Sequence, residues 1–415
     1  MSIKARLTLM NFVQFFIWGS WLISLGGYMG SQLHFSGLQI GSVYSTMGIA
    51  SVFMPGLLGI VADRWVNAER VYALSHFIAA GALIAATQVT EFELFYSFLL
   101  INSLFYMPTL ALSNSVCYNV LSRRGFDVVK TFPPIRVWGT IGFIVAMWTV
   151  DLLGWTKSPF QLYISAGAGI FLGCYAFTVP ASPPYLDETR RRSIVSSLGL
   201  DAIVLFKKKN TALFFVFSLL LGAALQITNA FGGPFLDDFR ATYPDSFGVR
   251  HPNLLLSISQ ISETCFILLI PFFLTRFGIR NVILFSILAW VLRFALFGLG
   301  NPDDKLYLLI LSMIIYGMAF DFFNISGSLF VEKVAEPKIR SSAQGLFMIM
   351  TNGFGAIIGG YGSGWVVDRF TDAQGARDWS AIWFTFSGYA LVLAVLFLLI
   401  FRADRIENGR MAIPS

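Results

Sequence analysis

The sequence has few charged residues and few cysteines for its length. Only 13% of its 415 residues are Asp, Glu, Lys or Arg, whereas 56% are hydrophobic; soluble domains carry roughly 25% charged residues. The cysteines, Cys117, Cys174 and Cys265, fall within or at the edge of hydrophobic runs. A disulfide framework is therefore not predicted, and the composition is that of an integral membrane protein.

Histidine is equally scarce. His34, His76 and His251 lie near the ends of hydrophobic runs or in a loop, and none belongs to an H-E-x-x-H pattern or to a Ser and His pair at membrane depth. An intramembrane enzyme would need such a catalytic set. The sequence therefore argues against an enzyme, and we expect neither a metal site nor a cofactor.

Long hydrophobic runs are what the sequence has in abundance. A membrane-spanning helix needs roughly 20 apolar residues, and twelve runs of this kind predict an all-α membrane protein with twelve spans. The first run is long, rich in aromatic residues and without a small-residue cleavage site, so we interpret it as a retained helix. The approximate limits of the spans are 8–29, 38–62, 71–90, 94–120, 134–153, 160–180, 211–236, 253–274, 281–300, 306–331, 343–367 and 379–401.

Charge patterning predicts the orientation. Most of the 29 Lys and Arg residues fall on the side of the N-terminus if the spans alternate in direction. By the positive-inside rule this side is the cytoplasm, and both termini lie there. The basic clusters at 190–192 and 207–209 are explained by this topology and by contact with anionic lipid, so nucleic-acid binding is not predicted.

The spans divide into two sets of six. A polar segment, residues 181–210, separates an N-terminal bundle of residues 1–180 from a C-terminal bundle of residues 211–402, and residues 403–415 form a cytoplasmic tail. Two six-helix bundles are the layout of major facilitator transporters, in which substrate binds between the halves near the midplane.

The loop after span two resembles a major facilitator signature. The segment GIVADRWVNAER has Gly59, Asp63, Arg64 and Arg70 at the recognisable positions, although Val66 stands where a glycine is common. The expected role is a charge network that holds a cytoplasmic gate in one state. The alternative is loop charge that only follows the topology.

Four spans carry polar or aromatic residues at helical spacing. Carboxylates, amides and a guanidinium are costly in hydrocarbon, so these faces should turn towards water, substrate or one another. For any single amide, a hydrogen bond between helices is the ordinary alternative. The stripes are Arg136, Thr140 and Phe143 in span five; Gln226 and Asn229 in span seven; Gln260 and Glu263 in span eight; and Tyr316, Phe320 and Asn324, with Asp321 beside them, in span ten.

The chemistry of these faces narrows the ligand. Amides donate and accept hydrogen bonds, which suits hydroxyl groups and the edges of heterocycles. Phe143, Tyr316, Phe320 and Trp138 offer flat rings for stacking. Arg136 is the one cation among the proposed inward positions, and Glu263 and Asp321 can offset its charge. We therefore expect a neutral or weakly ionised polyhydroxylated ligand and not a strongly anionic one, and nucleosides and sugars both qualify.

Motifs along nearly the whole chain resemble the nucleoside:proton symporter family of the major facilitators, the nucleoside and xanthosine permease type. They include QFFIWGSWL, FPPIRVWGTIGF, LQITN, SISQISET and YGMAFDFFNISG, in the same order. The resemblance implies proton-driven nucleoside uptake across a bacterial inner membrane by a chain expected to be a monomer. It implies a substrate cavity formed by Arg136, Thr140, Phe143, Gln226, Asn229, Gln260, Glu263, Tyr316 and Phe320.

Two carboxylates are candidates for carrying the proton. Glu263 is favoured, because Asp321 could instead pair structurally with Arg293 or Arg136. A proton would neutralise a carboxylate that is costly to move through a closed state. A proton-linked sugar or oligosaccharide symporter of the same fold remains the alternative function.

Overall fold

The computed structural model describes residues 2–184, 200–337 and 339–401, and these are almost entirely helical. Arg190 to Arg192, much of the predicted connector and the predicted tail at 403–415 lie outside the described residues. The α-helices are α1 (Ile3–Gly19), α2 (Leu25–Ser31), α3 (Gly37–Arg64), α4 (Ala68–Ala86), α5 (Phe92–Arg123), α6 (Val128–Leu152), α7 (Phe160–Ala176), α8 (Lys209–Asp238), α9 (Phe247–Arg250), α10 (Pro252–Leu256), α11 (Ile258–Leu299), α12 (Leu306–Val334), α13 (Arg340–Met348), α14 (Ala356–Arg369) and α15 (Trp379–Ile400).

These helices make twelve crossings of one bundle, as the hydrophobic runs predict. The first crossing is broken between α1 and α2, and α13 continues through a π-helical segment, Ile349–Gly355, into α14. The chain reverses inside α11 at Gly278, whose φ of 74° is a left-handed conformation that glycine adopts without strain. Seven helical segments in the described ranges are long and apolar enough to cross a membrane; the remaining crossings use shorter or interrupted helices.

The ends of the bundle are called proximal, where α1 begins, and distal, where α2 ends. At the distal end the two six-helix halves are in close contact along α3 and α14. A Cβ atom on Gly41 would lie 2.0 Å from the carbonyl oxygen of Gly360, and one on Gly364 would lie 2.4 Å from that of Gly37. Only glycine permits such an approach of two backbones, so these positions allow the halves to close.

Two carboxylates strengthen the distal closure. Asp368, at the end of α14, accepts hydrogen bonds from the backbone N–H groups of Gly37 and Leu38 at the start of α3. Asp151, at the end of α6, accepts one from the N–H of Asn253 at the start of α10. Each half thus supplies a carboxylate to a helix N-terminus of the other half, where the backbone N–H groups and the helix dipole favour negative charge.

Candidate functional site

Helix α6 presents the predicted stripe of the N-terminal half towards α1. Gly142 on α6 and Gly19 on α1 let the two helices approach closely. A Cβ atom on Gly142 would lie 2.1 Å from the carbonyl oxygen of Phe12, and one on Gly19 would lie 2.4 Å from that of Phe143. The Arg136 guanidinium carbon lies 4.0 Å from the ring centroid of Phe15, a cation–π distance. Phe143 is buried and meets Trp18 edge-on, with ring centroids 6.1 Å apart.

Trp138 does not share this face. It is two residues from Arg136, or about 200° around the helix, and its side chain is 45% exposed. The expectation that Trp138 offers a ring to the ligand is therefore wrong, because the helical period turns it away from the stripe. Thr140 lies on the stripe and is partly buried.

Helices α8 and α11 carry the amides of the C-terminal half. Gln226 is 8% exposed and accepts a hydrogen bond of 3.4 Å from the side-chain nitrogen of Asn229, one turn later. The Gln260 side-chain oxygen is buried and has no hydrogen-bond partner among the described residues. Buried amide groups without partners cost free energy unless a ligand or water satisfies them. The Gln260 oxygen is therefore a candidate acceptor for a ligand hydroxyl group.

Helix α12 supplies the aromatic surface. The rings of Tyr316 and Phe320 are stacked, with centroids 5.7 Å apart and planes 5° from parallel. Tyr316 is buried, whereas Phe320 is only partly buried and lines a small cavity of the C-terminal half that is partly open to solvent. Asn324, one helical turn after Phe320 on the same helix, also lines this cavity.

Charged groups from both halves lie within electrostatic range of one another. Arg136 on α6 and Glu263 on α11 are close enough for electrostatic attraction, and Glu263 also interacts with Asp321 on α12. The site therefore joins one cation of the N-terminal half to two carboxylates of the C-terminal half. In a medium of low dielectric constant such charges interact strongly.

Asp321 does not pair with an arginine in the way the sequence suggested. It is 4% exposed, and its Oδ2 atom has no hydrogen-bond partner among the described residues. No ion pair joins it to Arg293 or Arg136 within those residues. The Arg293 guanidinium instead donates to the backbone carbonyl of Ser312 at 2.9 Å, because its helix directs it towards the distal part of α12.

Several residues of the site were not found from the sequence. Phe15 and Trp18 on α1 contact Arg136 and Phe143, and Trp290 and Asn352 line the cavity. Asn352 belongs to the π-helical segment, a feature that is frequent at functional sites. The spacing of Phe15 and Trp18, three residues apart, places them on one helix face and was the available signal.

A separate polar cluster lies inside the N-terminal half. The Gln14 side chain donates to Thr109 at 2.8 Å, accepts from the Tyr72 hydroxyl at 2.6 Å and lies 3.0 Å from Nε2 of His76. His76 is thus buried inside the bundle and not near the end of a span, contrary to the prediction. Every direct partner of Gln14 comes from the same half, so this cluster stabilises the bundle.

The predicted gate residues lie at the proximal end. Gly59, Asp63 and Arg64 are in the last two turns of α3, and Arg70 is in the first turn of α4. The neighbouring Glu69 accepts a hydrogen bond of 2.8 Å from the backbone N–H of Ser182 and so joins this loop to the start of the connector. The gating role of the four residues stays a prediction.

This architecture of two six-helix halves, each with polar groups on inward helix faces, is that of membrane transporters of the major facilitator type. A family model described as "Nucleoside H+ symporter" matches residues 1–405. The chain therefore belongs to the nucleoside H+ symporter family, which confirms the family resemblance found in its sequence.

Named relatives support the same assignment. The xanthosine permease of Escherichia coli (strain K12) is 54% identical over 97% of this chain and 96% of its own length. The nucleoside permease NupG of the same strain is also 54% identical, over 98% of both chains. The crystal structure of nucleoside transporter NupG superposes with a TM-score of 0.92 at 53% identity, covering 97% of this chain and 100% of that one.

Proposed function

We propose that this chain takes up nucleosides together with protons across a bacterial inner membrane, by alternating access to the cavity between its halves. One observation carries the proposal: Arg136 from one half and Glu263 from the other interact electrostatically between the halves. We assign the amides of Gln226 and Gln260 and the Tyr316–Phe320 ring pair, on helices of the C-terminal half, to the same site. The proton gradient is the driving force, and no cofactor is required.

The chemistry of the cavity fits a nucleoside in two parts. Ribose hydroxyl groups can exchange hydrogen bonds with amides and with a carboxylate, because both partners donate or accept in the required sense. A nucleobase can stack on an aromatic ring, an interaction worth about 1–3 kcal/mol per base. We propose that Gln226, Asn229 and Glu263 face the ribose and that Phe320 faces the base.

The structure corresponds to one state of the transport cycle. Contacts of Gly41 with Gly360 and of Asp368 with Gly37 close the distal end. Arg136, Glu263 and Phe320 are partly exposed, and we propose that they are reached from the proximal end. With both termini in the cytoplasm, as the charge pattern predicts, this is the state that releases substrate into the cell.

We propose that Glu263 and Asp321 together carry the proton, with Glu263 as the coupling group. Two neighbouring carboxylates in a low-dielectric site are stabilised when one of them is protonated. Glu263 has Arg136 as a charge partner from the other half, so movement of the halves changes its electrostatic environment. Proton affinity is thereby linked to the conformational change.

Transport in proteoliposomes tests the function and the coupling group separately. Uptake of labelled uridine, adenosine and xanthosine, driven by an imposed pH gradient, should be abolished by a protonophore. Glu263→Gln should lose accumulation but keep exchange of internal for external nucleoside, and Asp321→Asn serves as the comparison. Accumulation by Glu263→Gln at the wild-type level would contradict the coupling assignment. Inhibition by disaccharides and not by nucleosides would support sugar symport instead.

We propose that the transporter works as a monomer in contact with membrane lipid. Arg136 of the N-terminal half and Glu263 of the C-terminal half belong to one chain, so the proposed site is complete without a second copy. The basic residues at the proximal end would then contact anionic lipid headgroups at the cytoplasmic surface.

A further inference from the structure

Arg293 is a buried cation that the transport mechanism above does not use. It lies in the second crossing of α11 and is 2% exposed. Besides the bond to the Ser312 carbonyl, its Nη1 atom lies 3.5 Å from the Ser259 hydroxyl. No carboxylate lies within ion-pair distance of it in the described ranges. A charge buried in a membrane protein is costly and usually functional.

Aromatic rings provide the compensation. The Arg293 guanidinium carbon lies 4.6 Å from the centroid of Tyr316, 5.5 Å from that of Phe297 and 6.0 Å from that of Trp290. A guanidinium over an aromatic face is attracted by the quadrupole of the ring, most strongly when water is excluded. The shortest of the three distances is to Tyr316, the ring that stacks on Phe320 in the site.

Arg293 also connects the helices that carry the C-terminal half of the site. Ser312 is one helical turn before Tyr316 on α12, and Ser259 directly precedes Gln260 on α11. Trp290, one turn before Arg293, meets Tyr316 edge-on at 6.0 Å and lines the cavity together with Phe320. Loss of the guanidinium would release the Tyr316 ring and weaken the junction of the two helices.

We propose that Arg293 is a positioning residue for substrate recognition: it fixes the Tyr316 ring and, because the Phe320 ring stacks on Tyr316, the Phe320 surface that faces the nucleobase. This inference rests on the proposed nucleoside transport. Arg293 does not touch the substrate, and its effect passes through Tyr316. Because the surface binds the ligand and performs no proton transfer, loss of Arg293 should change KM far more than the maximal rate.

A double-mutant cycle tests the proposal. Arg293→Met should raise the KM for adenosine roughly tenfold, consistent with a desolvated cation–π interaction, at an unchanged maximal rate per folded carrier. Arg293→Lys should recover part of this loss, since an ammonium group retains the attraction to the ring. In a Tyr316→Leu background, Arg293→Met should produce no further rise in KM.

Arg280→Met is the matched control. Arg280 is on the same helix and donates to the backbone carbonyl of Phe401, but no aromatic ring lies in cation–π contact with it among the described residues. This variant should leave the KM unchanged. Equal rises of KM for Arg293→Met in the two Tyr316 backgrounds, or a fall of the maximal rate alone, would overturn the proposal.

Folding is measured independently. If Arg293→Met does not fold, Arg293→Lys gives the same comparison, because its partial rise in KM must vanish in the Tyr316→Leu background. A wild-type carrier that transports no nucleoside would contradict the proposed function and is distinguishable from failure of the Arg293 proposal, in which the wild type is active and the KM does not respond.

Discussion

The Asp368 carboxylate accepts a hydrogen bond of 2.6 Å from the backbone N–H of Gly37, which belongs to the other half of the molecule. Asp151 makes the corresponding contact in the opposite direction, at 2.7 Å from the N–H of Asn253. Both contacts require the distal end to be closed. They therefore stabilise one state of the transport cycle relative to the other, and not the fold as such.

We expect Asp368→Asn to shift the equilibrium towards the distally open state. A hydrogen bond to a charged group contributes about 1.5–3 kcal/mol, so the closed fraction should fall roughly tenfold relative to the open one. Spin labels at Gln32→Cys and Gln374→Cys, in a chain with Cys174 and Cys265 replaced by serine, report the distal separation. The longer distance should become more populated.

Asp245→Asn is the control for that shift. Asp245 is also at the distal end, but it is exposed and pairs with Arg250 in its own loop. Its replacement should leave the distance distribution unchanged. An identical shift in both variants would show that distal surface charge, and not the contact with α3, determines the equilibrium.

Gly41→Ala should prevent distal closure. The added methyl group would lie 2.0 Å from the carbonyl oxygen of Gly360, a distance that neither rigid backbone can accommodate. Transport should be lost, while Ser45→Cys at the same interface becomes reactive towards a membrane-impermeant thiol reagent. Gly362→Ala, whose methyl group would meet no atom within 4 Å, should transport normally; loss of transport in this control would contradict the steric explanation.

Gln226→Ala should weaken substrate binding without destabilising the protein. Among the residues that the structure describes, Gln226 has one hydrogen-bond partner, the nearby Asn229, so little of the fold depends on it. Loss of one neutral hydrogen bond to the ligand, about 1 kcal/mol, should raise the KM roughly fivefold. Measurements of initial uptake rate against concentration check this, and an unchanged KM would remove Gln226 from the substrate site.

Gln14→Ala should have the opposite pattern. Its side chain is bonded to Thr109 and Tyr72 and contacts His76. Without it the buried Tyr72 hydroxyl and Nε2 of His76 lose this partner, whereas the Thr109 hydroxyl keeps its bond to the Tyr106 carbonyl. The expected loss is about 2–4 kcal/mol of stability, visible as a lower Tm in detergent. The KM of the folded fraction should not change; a raised KM with an unchanged Tm would place Gln14 in substrate binding.

The helical period explains which parts of the site could be predicted from the sequence. Arg136 and Phe143, or Tyr316 and Phe320, lie on one face because their spacing along a helix requires it. By the same rule Trp138 lies on another face of α6, because it is separated from Arg136 by two residues, and its side chain is exposed. Arg136 and Glu263 were both expected to turn inward because hydrocarbon does not solvate charge.

Contacts between distant segments could not be predicted in this way. Asp368 is 331 residues from Gly37, and no local pattern selects that partner among the carboxylates of the chain. Arg293 was one of two alternative partners offered for Asp321, yet its charge is compensated by aromatic rings and a backbone carbonyl. Either compensation is physically adequate, so only the positions of the helices decide between them.

The sequence by itself determined twelve membrane crossings, the family and the inward faces of the helices, because hydrophobic length and helical spacing are local properties. The tertiary structure decided which half each polar group meets, that the distal end is closed, and that Asp321 remains without an arginine partner among the described residues. These features depend on how the two halves are placed against each other. Their free energies come from contacts between segments that are far apart in the chain.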